Sequence, residues 1–191
     1  MEIHLRRMSV YSSAVSDVKY AAMVPEVSHA LMAWIKAKLP ANESGVLIGG
    51  LAMSFYARPR ETTDVDLLFL RKSDIPEQVA GFKRYRPGAF RENTTHVDIE
   101  VTTPDSFDLP QAVVDKVFDT AILHDGIRVA SREAMVVLKL YGADTPRREF
   151  KDLADIVAIL EVQPVNLSAW TSLLKPHHLS KFADAKVRAV S

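Results

Sequence analysis

The sequence predicts an α+β fold, in which a small mixed sheet with flanking helices is followed by a C-terminal helical extension. Short apolar or alternating runs, which are typical of strands, are confined to the first part of the chain. The pair Asp125-Gly126 between two such runs indicates a β-hairpin. After Ser131 the apolar residues recur at helical spacing. We therefore expect a core over residues 1–130 and a helical extension, packed on that core, over residues 131–191.

The N-terminal elements are predicted from apolar periodicity and from the positions of proline and glycine. Residues 1–22 show weak periodicity, and no element is predicted there. Pro25 suits the first turn of a helix that ends at Pro40. The apolar run Gly45–Ile48 is predicted as a core strand, and Leu51–Ala57 is predicted as a short helix.

Two strands, a helix and a basic loop are predicted next. Asp64–Leu70 is predicted as a strand whose far end is too apolar for an exposed edge. Ser73 is predicted to cap a helix that continues through Phe82. Residues 84–94 combine arginine with proline and glycine, which indicates a basic loop or an irregular hairpin. Strict alternation of polar and apolar residues over His96–Val101 predicts the second of these strands.

The rest of the chain is predicted as a hairpin followed by helices. The hairpin strands are Ala121–Leu123 and Ile127–Ala130. The helices run from Ser131 through Leu140, over Arg147–Leu160, near residues 167–175 and near residues 180–188. Pro164 ends the second of these helices. His177-His178, directly after Pro176, is predicted as a solvated turn.

Composition and charge limit the classes of protein to which the chain can belong. Its 191 residues include 24 basic and 24 acidic side chains, so nucleic-acid binding would require a local basic patch. Cysteine is absent, which excludes disulfides, cysteine nucleophiles and cysteine-ligated zinc. No apolar run approaches the roughly 18 residues of a membrane span, and Met1–Met8 lacks the apolar core of a signal peptide. We therefore expect a cytoplasmic protein that does not enter a membrane.

Residues 45–70 contain the pattern that indicates chemistry. An apolar run ends in Gly49-Gly50, and after the corner Arg60-Glu61-Thr62 two carboxylates, Asp64 and Asp66, alternate with apolar residues. Strand residues two apart face the same side, and two carboxylates this close repel each other unless a cation lies between them. Mg²⁺ accepts a few carboxylates while it keeps positions for phosphate oxygens. The glycines allow close approach of a ligand, and the helix after them directs N–H groups at an anion. Together these features predict nucleotide chemistry.

A third carboxylate is expected, because two-metal phosphoryl transfer generally uses one to bind the metal that activates the acceptor. The alternating strand offers Asp98 and Glu100 on one face. Asp98 is the first choice, since it precedes Ile99 near the middle of the strand, and Glu100 is the alternative. The solvated outer face of an edge strand would produce the same alternation.

Lys139 lies in a predicted helix whose neighbouring residues are almost all apolar. Its ammonium group must therefore reach solvent or find a partner within the protein. Asp152 and Asp155 in the next helix lie close in sequence to Arg148 and Lys151, with which they would form weak surface pairs if the helix were solvated. The pattern alone leaves a structural role and a site role open for these residues.

The order of these motifs resembles the nucleotidyltransferase superfamily, which has the polymerase-beta-like fold: an apolar strand, Gly-Gly, a short helix, then Asp-x-Asp. The longer pattern, Gly49-Gly50-Leu-Ala followed by Arg60-x-Thr62-x-Asp64-x-Asp66, is similar to the AbiEii-type branch of bacterial toxin-like nucleotidyltransferases. Lys139-Leu140 and the later Lys151-Asp152-Leu-Ala-Asp155 extend the resemblance to about residue 160, although this last motif is less specific.

The resemblance implies a Mg²⁺- or Mn²⁺-dependent enzyme that transfers a nucleoside monophosphate from an NTP to a hydroxyl acceptor. It implies that Asp64, Asp66 and Asp98 are the catalytic and metal-binding residues. The nucleotide would be bound by Gly49, Gly50, Arg60, Thr62, Lys139 and Asp152. It further implies tRNA or another RNA as the acceptor and a separately encoded antitoxin as a protein partner. The NTP preference and the acceptor are not determined by the sequence.

Two alternatives remain at this point. One is a non-catalytic domain of the same fold that binds a nucleotide or a protein partner. The presence of Asp64, Asp66 and a candidate third acid argues against it, because a degenerate site need not keep them. The other is a sugar-transferring enzyme, in which Asp-x-Asp binds a nucleotide-sugar, but such enzymes usually need a larger nucleotide-binding domain.

Overall fold

A computed structural model of the chain describes residues 25–58, 62–106 and 108–190. The described residues form seven strands: β1 (Val46–Ile48), β2 (Asp64–Leu68), β3 (Phe82–Arg86), β4 (Ala89–Glu92), β5 (Asp98–Thr102), β6 (Ile122–His124) and β7 (Ile127–Val129). They also form seven α-helices: α1 (Pro25–Lys36), α2 (Ala41–Ser44), α3 (Gly49–Met53), α4 (Gln111–Thr120), α5 (Arg132–Gly142), α6 (Pro146–Val162) and α7 (Pro176–Ala189). Short 3₁₀ helices lie at Lys72–Asp74, Pro104–Ser106 and Ser168–Leu173.

The strands form one mixed sheet in the order β3-β4-β5-β2-β1-β7-β6. β2 pairs with β5 in parallel and β1 pairs with β7 in parallel, whereas the other neighbours are antiparallel. Helices flank this sheet, and the C-terminal part of the chain is helical. The predicted α+β class, with a mixed sheet and a helical C-terminal part, is therefore confirmed.

The central strands are held in place by burial of their apolar residues. β1 is buried along its whole length, and Val65 and Leu67 of β2 are fully buried. Burial of one such side chain stabilises the fold by about 1.5–3 kcal/mol. Because residues alternate along a strand, Asp64 and Asp66 face the opposite side from these anchors. The apolar half of β2 thus determines where its carboxylates point.

The helical part packs against the sheet through α5. Ser131 caps this helix, because its hydroxyl accepts the N–H of Ala134 at 3.3 Å. Pro146 and Pro176 begin α6 and α7 at positions where a helix does not need the missing N–H. α5 packs on α3 and α4, and α6 and α7 pack on α5 and on each other. α5 therefore connects the sheet to the last two helices.

Both predicted turns occur as hairpins. Asp125 and Gly126, with φ of 47° and 87°, form the turn between β6 and β7. The basic segment forms the β3–β4 hairpin, whose register shifts between Arg84 and Arg86. The hairpin prediction at Asp125-Gly126 is confirmed, and the choice left open for residues 84–94 is decided in favour of a hairpin.

The helix predicted from Ser73 through Phe82 is wrong. Only the short 3₁₀ turn at Lys72–Asp74 forms, and β3 begins at Phe82. The cause is Pro76, because a proline disfavours the helical conformation in the residue before it. Ile75 accordingly has an extended backbone, with ψ of 119°.

Helix α4 has no counterpart among the predicted elements. It begins after Pro110 and buries Val113, Val114 and Val117. Valine favours strands by intrinsic preference, so these residues give a weak helical signal in the sequence. Packing of the valine face against the core therefore decides the structure here.

The prediction of a solvated turn at His177-His178 is also wrong. Both residues lie in the first turn of α7, and the side chain of His178 is fully buried. Their Nε2 atoms contact the carboxylate of Asp144, which follows α5, at 2.8 and 3.0 Å. A histidine pair after a proline gives no indication of this distant carboxylate.

Candidate functional site

Three carboxylates meet on one side of the central strands. The parallel pairing of β2 and β5 places Asp64 level with Asp98 and Asp66 level with Glu100. Asp64, Asp66 and Glu100 each offer one carboxylate oxygen, and these oxygens lie within 4.8 Å of one another. Three carboxylate oxygens at this separation form a suitable set of donors for a divalent cation.

The structure brings Glu100, and not Asp98, to the two predicted metal ligands. Asp98 is held by Arg91, its neighbour on β4, whose Nε and Nη2 donate to the two carboxylate oxygens at 2.7 and 3.0 Å. Among the described residues, Asp98 does not belong to the group that could hold a metal. The hydrogen bond from Arg91 is the main cause that lowers the pKa of Asp98. The geometry therefore places Glu100, the alternative, and not Asp98, beside Asp64 and Asp66, and the identity of the third acid stays a prediction.

Asp66 is electrostatically the most perturbed carboxylate of the three. Burial, followed by the negative charges of Asp64 and Glu100, raises its pKa from 3.8 to about 6. The N–H of Gly50, which donates to this carboxylate, and the charge of Lys139 act in the opposite direction but are smaller. A cation between the carboxylates would offset both the mutual repulsion and the loss of hydration. Without one, Asp66 in the folded protein keeps its proton up to about pH 6.

Gly49 allows the chain to pass directly beside this carboxylate. Its φ is +66°, and a Cβ added there would lie 1.8 Å from Oδ2 of Asp66. Both the backbone conformation and the lack of space therefore require glycine. In the structure, Gly49-Gly50 supports Asp66, and its predicted contact with phosphate stays a prediction.

Thr62 positions the side chain of Asp64, the first of the two predicted metal ligands. It is buried, and its hydroxyl lies 3.2 Å from Oδ1 of Asp64, to which it donates. Because β2 begins at Asp64, this contact fixes the carboxylate at the start of the strand. Arg60 lies outside the described residues, so its role in nucleotide binding stays a prediction.

Lys139 finds its partners inside the protein. Its side chain is buried, and Nζ lies 2.8 Å from Asp152 and 2.6 Å from Asp155. Asp152 is fully buried and is also contacted by Nε of Arg148 at 3.2 Å. Neither acid lies on a solvated helix face, and Asp155, which the sequence did not mark as a site residue, holds Lys139 as closely as Asp152 does.

A glycine also makes the approach of Asp152 possible. A Cβ at Gly142, the last residue of α5, would lie 2.3 Å from Oδ2 of Asp152. Any larger residue would therefore push the carboxylate away from Lys139. The spacing of Lys139, Gly142 and Asp152 along the chain gives no direct sign of this contact.

One cleft is lined both by Asp66, a member of the acidic group, and by the buried Lys139. Its lining includes Ile48, Gly49, Asp66, Lys139, Gly142 and Arg148. β1, β2 and α3 supply the residues of one wall, and α5 and α6 supply the cationic residues of the other. Negative and positive side chains thus face the same space, an arrangement that suits a metal ion together with an anionic ligand.

A second group with metal-binding donors consists of Asp144, His177 and His178. Nδ1 of His178 accepts the backbone N–H of Lys175 at 3.3 Å, so Nε2 carries the proton that is donated to Asp144. Lys181 also contacts this carboxylate, at 3.6 Å. Burial opposes ionisation, but the hydrogen bonds from His178 and His177 lower the pKa of Asp144 to about 2. The group therefore joins the start of α7 to the end of α5 through hydrogen bonds to Asp144.

Comparison with known proteins assigns no family to the chain. No protein-family model matches it, and no curated protein matches it. Of the helices in the described ranges, none is both long enough and apolar enough to cross a membrane. Any function must therefore be argued from the geometry of the cleft and from the motifs that form it.

Proposed function

We propose that the protein is a metal-dependent nucleotidyltransferase, with the nucleotidyltransferase-like fold, that moves a nucleoside monophosphate from an NTP to a hydroxyl acceptor. The observation that carries this proposal is the meeting of Asp64, Asp66 and Glu100, with carboxylate oxygens within 4.8 Å. One of the three, Asp66, lines a cleft together with Gly49 and Lys139. A cation site beside a buried ammonium group can bind a triphosphate from two sides.

The donor set fits Mg²⁺ or Mn²⁺. All three side chains offer oxygen, which hard divalent cations prefer, and no cysteine competes for softer metals. Asp64 and Asp66 would hold the ion that binds the triphosphate, and Glu100 would complete the set. When bound, the ion supplies charge stabilisation for the phosphates and orients the reacting groups.

The side chains around the carboxylates position the reactants. We infer that Lys139 contributes positive charge toward the phosphates from the second wall of the cleft. Asp152 and Asp155 are positioning residues, because they fix its Nζ at 2.8 and 2.6 Å. Thr62 and Gly49-Gly50 set the positions of Asp64 and Asp66. Catalysis by such a site consists mainly of positioning and charge neutralisation.

An RNA end is the acceptor that we propose. Edge strand β3 exposes Lys83, Arg84 and Tyr85, and it belongs to the hairpin that pairs with β5, the strand of Glu100. Cationic side chains with an exposed aromatic ring are typical of surfaces that bind single-stranded nucleic acid. This patch is local, as the zero formal charge of the chain requires. The proposal of a separately encoded antitoxin as a partner is supported by the resemblance alone.

The proposal is tested by incubating the protein with each labelled NTP, Mn²⁺ or Mg²⁺ and total RNA. We expect labelled RNA with the wild type and none with Asp64→Asn/Asp66→Asn. Asp119→Asn, which neutralises an exposed acid on α4, is the matched control and should label RNA normally. Lys83→Gln/Arg84→Gln should reduce labelling of RNA but leave the affinity for NTP unchanged.

The outcomes separate the proposed enzyme from a binding domain. Nucleotide and metal binding without transfer to RNA or to any other hydroxyl compound would favour the non-catalytic alternative. If all variants are folded and the wild type shows no nucleotide binding and no transfer, both the enzyme and the binding domain are contradicted.

A further inference from the structure

Glu100 belongs to two groups at once. Its carboxylate is one of the three that lie within 4.8 Å of one another, and its Oε1 accepts a hydrogen bond from Nη2 of Arg86 at 2.6 Å. Arg86 is the last residue of β3 and reaches across β4 to β5. The candidate metal site therefore already contains a positive charge, which this chain itself supplies.

The neighbouring pair of Arg91 and Asp98 differs from the pair of Arg86 and Glu100, because its carboxylate does not belong to the group of three. Arg91 binds Asp98 through two nitrogen atoms, at 2.7 and 3.0 Å, and this carboxylate stands outside the group of three. Both arginines lie near the ring of Tyr85, with guanidinium carbons 5.6 Å (Arg86) and 4.8 Å (Arg91) from its centre. Two similar arginines thus share one ring, but Arg86 alone contacts a member of the candidate metal site.

We propose that Arg86 is a resident counter-ion of this site, whose positive charge on Glu100 competes with a divalent cation that binds there. The inference rests on the proposed function, because it assumes that the three carboxylates bind a metal ion. A guanidinium group and a divalent cation on the same carboxylate repel each other. The guanidinium group keeps its proton throughout the usable pH range, so deprotonation cannot relieve the competition.

The exposure of the pair makes this exchange feasible. The Arg86 side chain is 55% exposed and that of Glu100 is 43% exposed. Exposed ion pairs are weak, because water solvates both partners when they separate. Arg86 can therefore move into solvent when an ion arrives, without disturbing the buried strands. The buried pair of Lys139 and Asp152 does not have this freedom.

The consequence is a metal site whose affinity is reduced when the ion comes alone. Arg86 offsets part of the repulsion among the three carboxylates, which stabilises the ion-free arrangement. A metal ion that arrives with further oxygen ligands, such as those of a triphosphate, more easily overcomes this competition. Loading of metal is in this way coupled to loading of nucleotide.

The test is a titration of Mn²⁺ alone, without nucleotide, into the folded full-length protein, with bound ion measured by electron paramagnetic resonance. We expect Arg86→Gln to lower the Kd for Mn²⁺ by about 5-fold, which is the upper range for loss of one exposed ion pair. Arg86→Lys, which keeps the charge, should remain close to the wild type. Arg91→Gln, which removes the same charge from a carboxylate outside the group, should change the Kd by less than about 2-fold.

A double variant separates competition at Glu100 from a general effect of charge. In a Glu100→Gln background, Arg86→Gln should no longer strengthen Mn²⁺ binding. Equal effects of Arg86→Gln and Arg91→Gln, or an unchanged Kd in Arg86→Gln, would overturn this inference while the proposed function stands. Absence of Mn²⁺ binding in the wild type and in every variant would instead overturn the metal site, and the competition with it.

Discussion

Replacing Lys139 with methionine should unfold the protein at a much lower temperature, although the substitution keeps the length of the side chain. Lys139 is 5% exposed, Asp152 is fully buried and Asp155 is 7% exposed. Nζ lies within 2.8 Å of both carboxylates, so the variant would leave two buried acids without their shared cation. Removal of one partner from a buried ion pair costs about 3–5 kcal/mol of unfolding free energy.

The expected shift in melting temperature follows from this free energy. For a chain of this size, 1 kcal/mol corresponds to about 2–4 °C. Lys139→Met should therefore melt about 6–20 °C below the wild type, as measured by circular dichroism. Lys151→Met, which removes an exposed lysine of α6, is the matched control and should melt close to the wild type.

A second substitution tests the stated cause. Asp152 keeps its contact with Arg148 at 3.2 Å, whereas Asp155 loses a partner at 2.6 Å. Adding Asp155→Asn to Lys139→Met removes one of the two negative charges that Lys139 no longer balances, and it should recover at least about 1 kcal/mol of unfolding free energy. If Lys139→Met melts with the wild type, or if Asp155→Asn lowers stability further in that background, the charge argument fails.

Three further predictions concern the acidic group. Gly49→Ala should destabilise the protein by about 1–2 kcal/mol through the left-handed backbone alone. The clash of its Cβ, 1.8 Å from Asp66, adds to this cost, and urea unfolding measures the total. Without divalent ions, the contribution of Asp66 to stability should fall as pH rises from about 4 to 6. The reason is that the folded chain keeps a proton on Asp66 (pKa about 6), which the unfolded chain releases near 3.8. Thermal melting of Asp66→Asn should lack this fall. Glu100→Gln should reduce nucleotidyl transfer by roughly 100-fold or more, and Asp98→Asn much less; single-turnover assays at saturating NTP rank the two.

The parts of the fold that the sequence predicts well are those with local causes. The turn between β6 and β7 requires two residues at positive φ, and Asp125-Gly126 provides them. The N-terminus of α5 requires a cap, and Ser131 provides it. Helix α4 was not predicted, because its valines prefer strands locally and only their burial in the folded core makes the helix favourable.

The sequence predicts only those relations within the site that lie along a single strand. Alternation along β2 is enough to place Asp64 and Asp66 on one face. The partners of Lys139 could not be derived by spacing, since the contact depends on how α6 packs on α5 and on the absence of a Cβ at Gly142. The resemblance assigned both Lys139 and Asp152 to nucleotide binding, and the structure shows that Nζ of Lys139 contacts Asp152 and also Asp155.

The third carboxylate depends on strand register, which a single sequence does not specify. Asp98 and Glu100 are two residues apart, so alternation places both on the same face as Asp64 and Asp66. The pairing of β2 with β5 sets Glu100 level with Asp66, while β4 brings Arg91 level with Asp98. A shift of two residues in the register of β5 would set Asp98 level with Asp66 without turning any apolar side chain to the other face of the sheet. The neighbouring strands, and not the acidic residues themselves, therefore decide which carboxylate lies beside Asp64 and Asp66 and which is bound by Arg91.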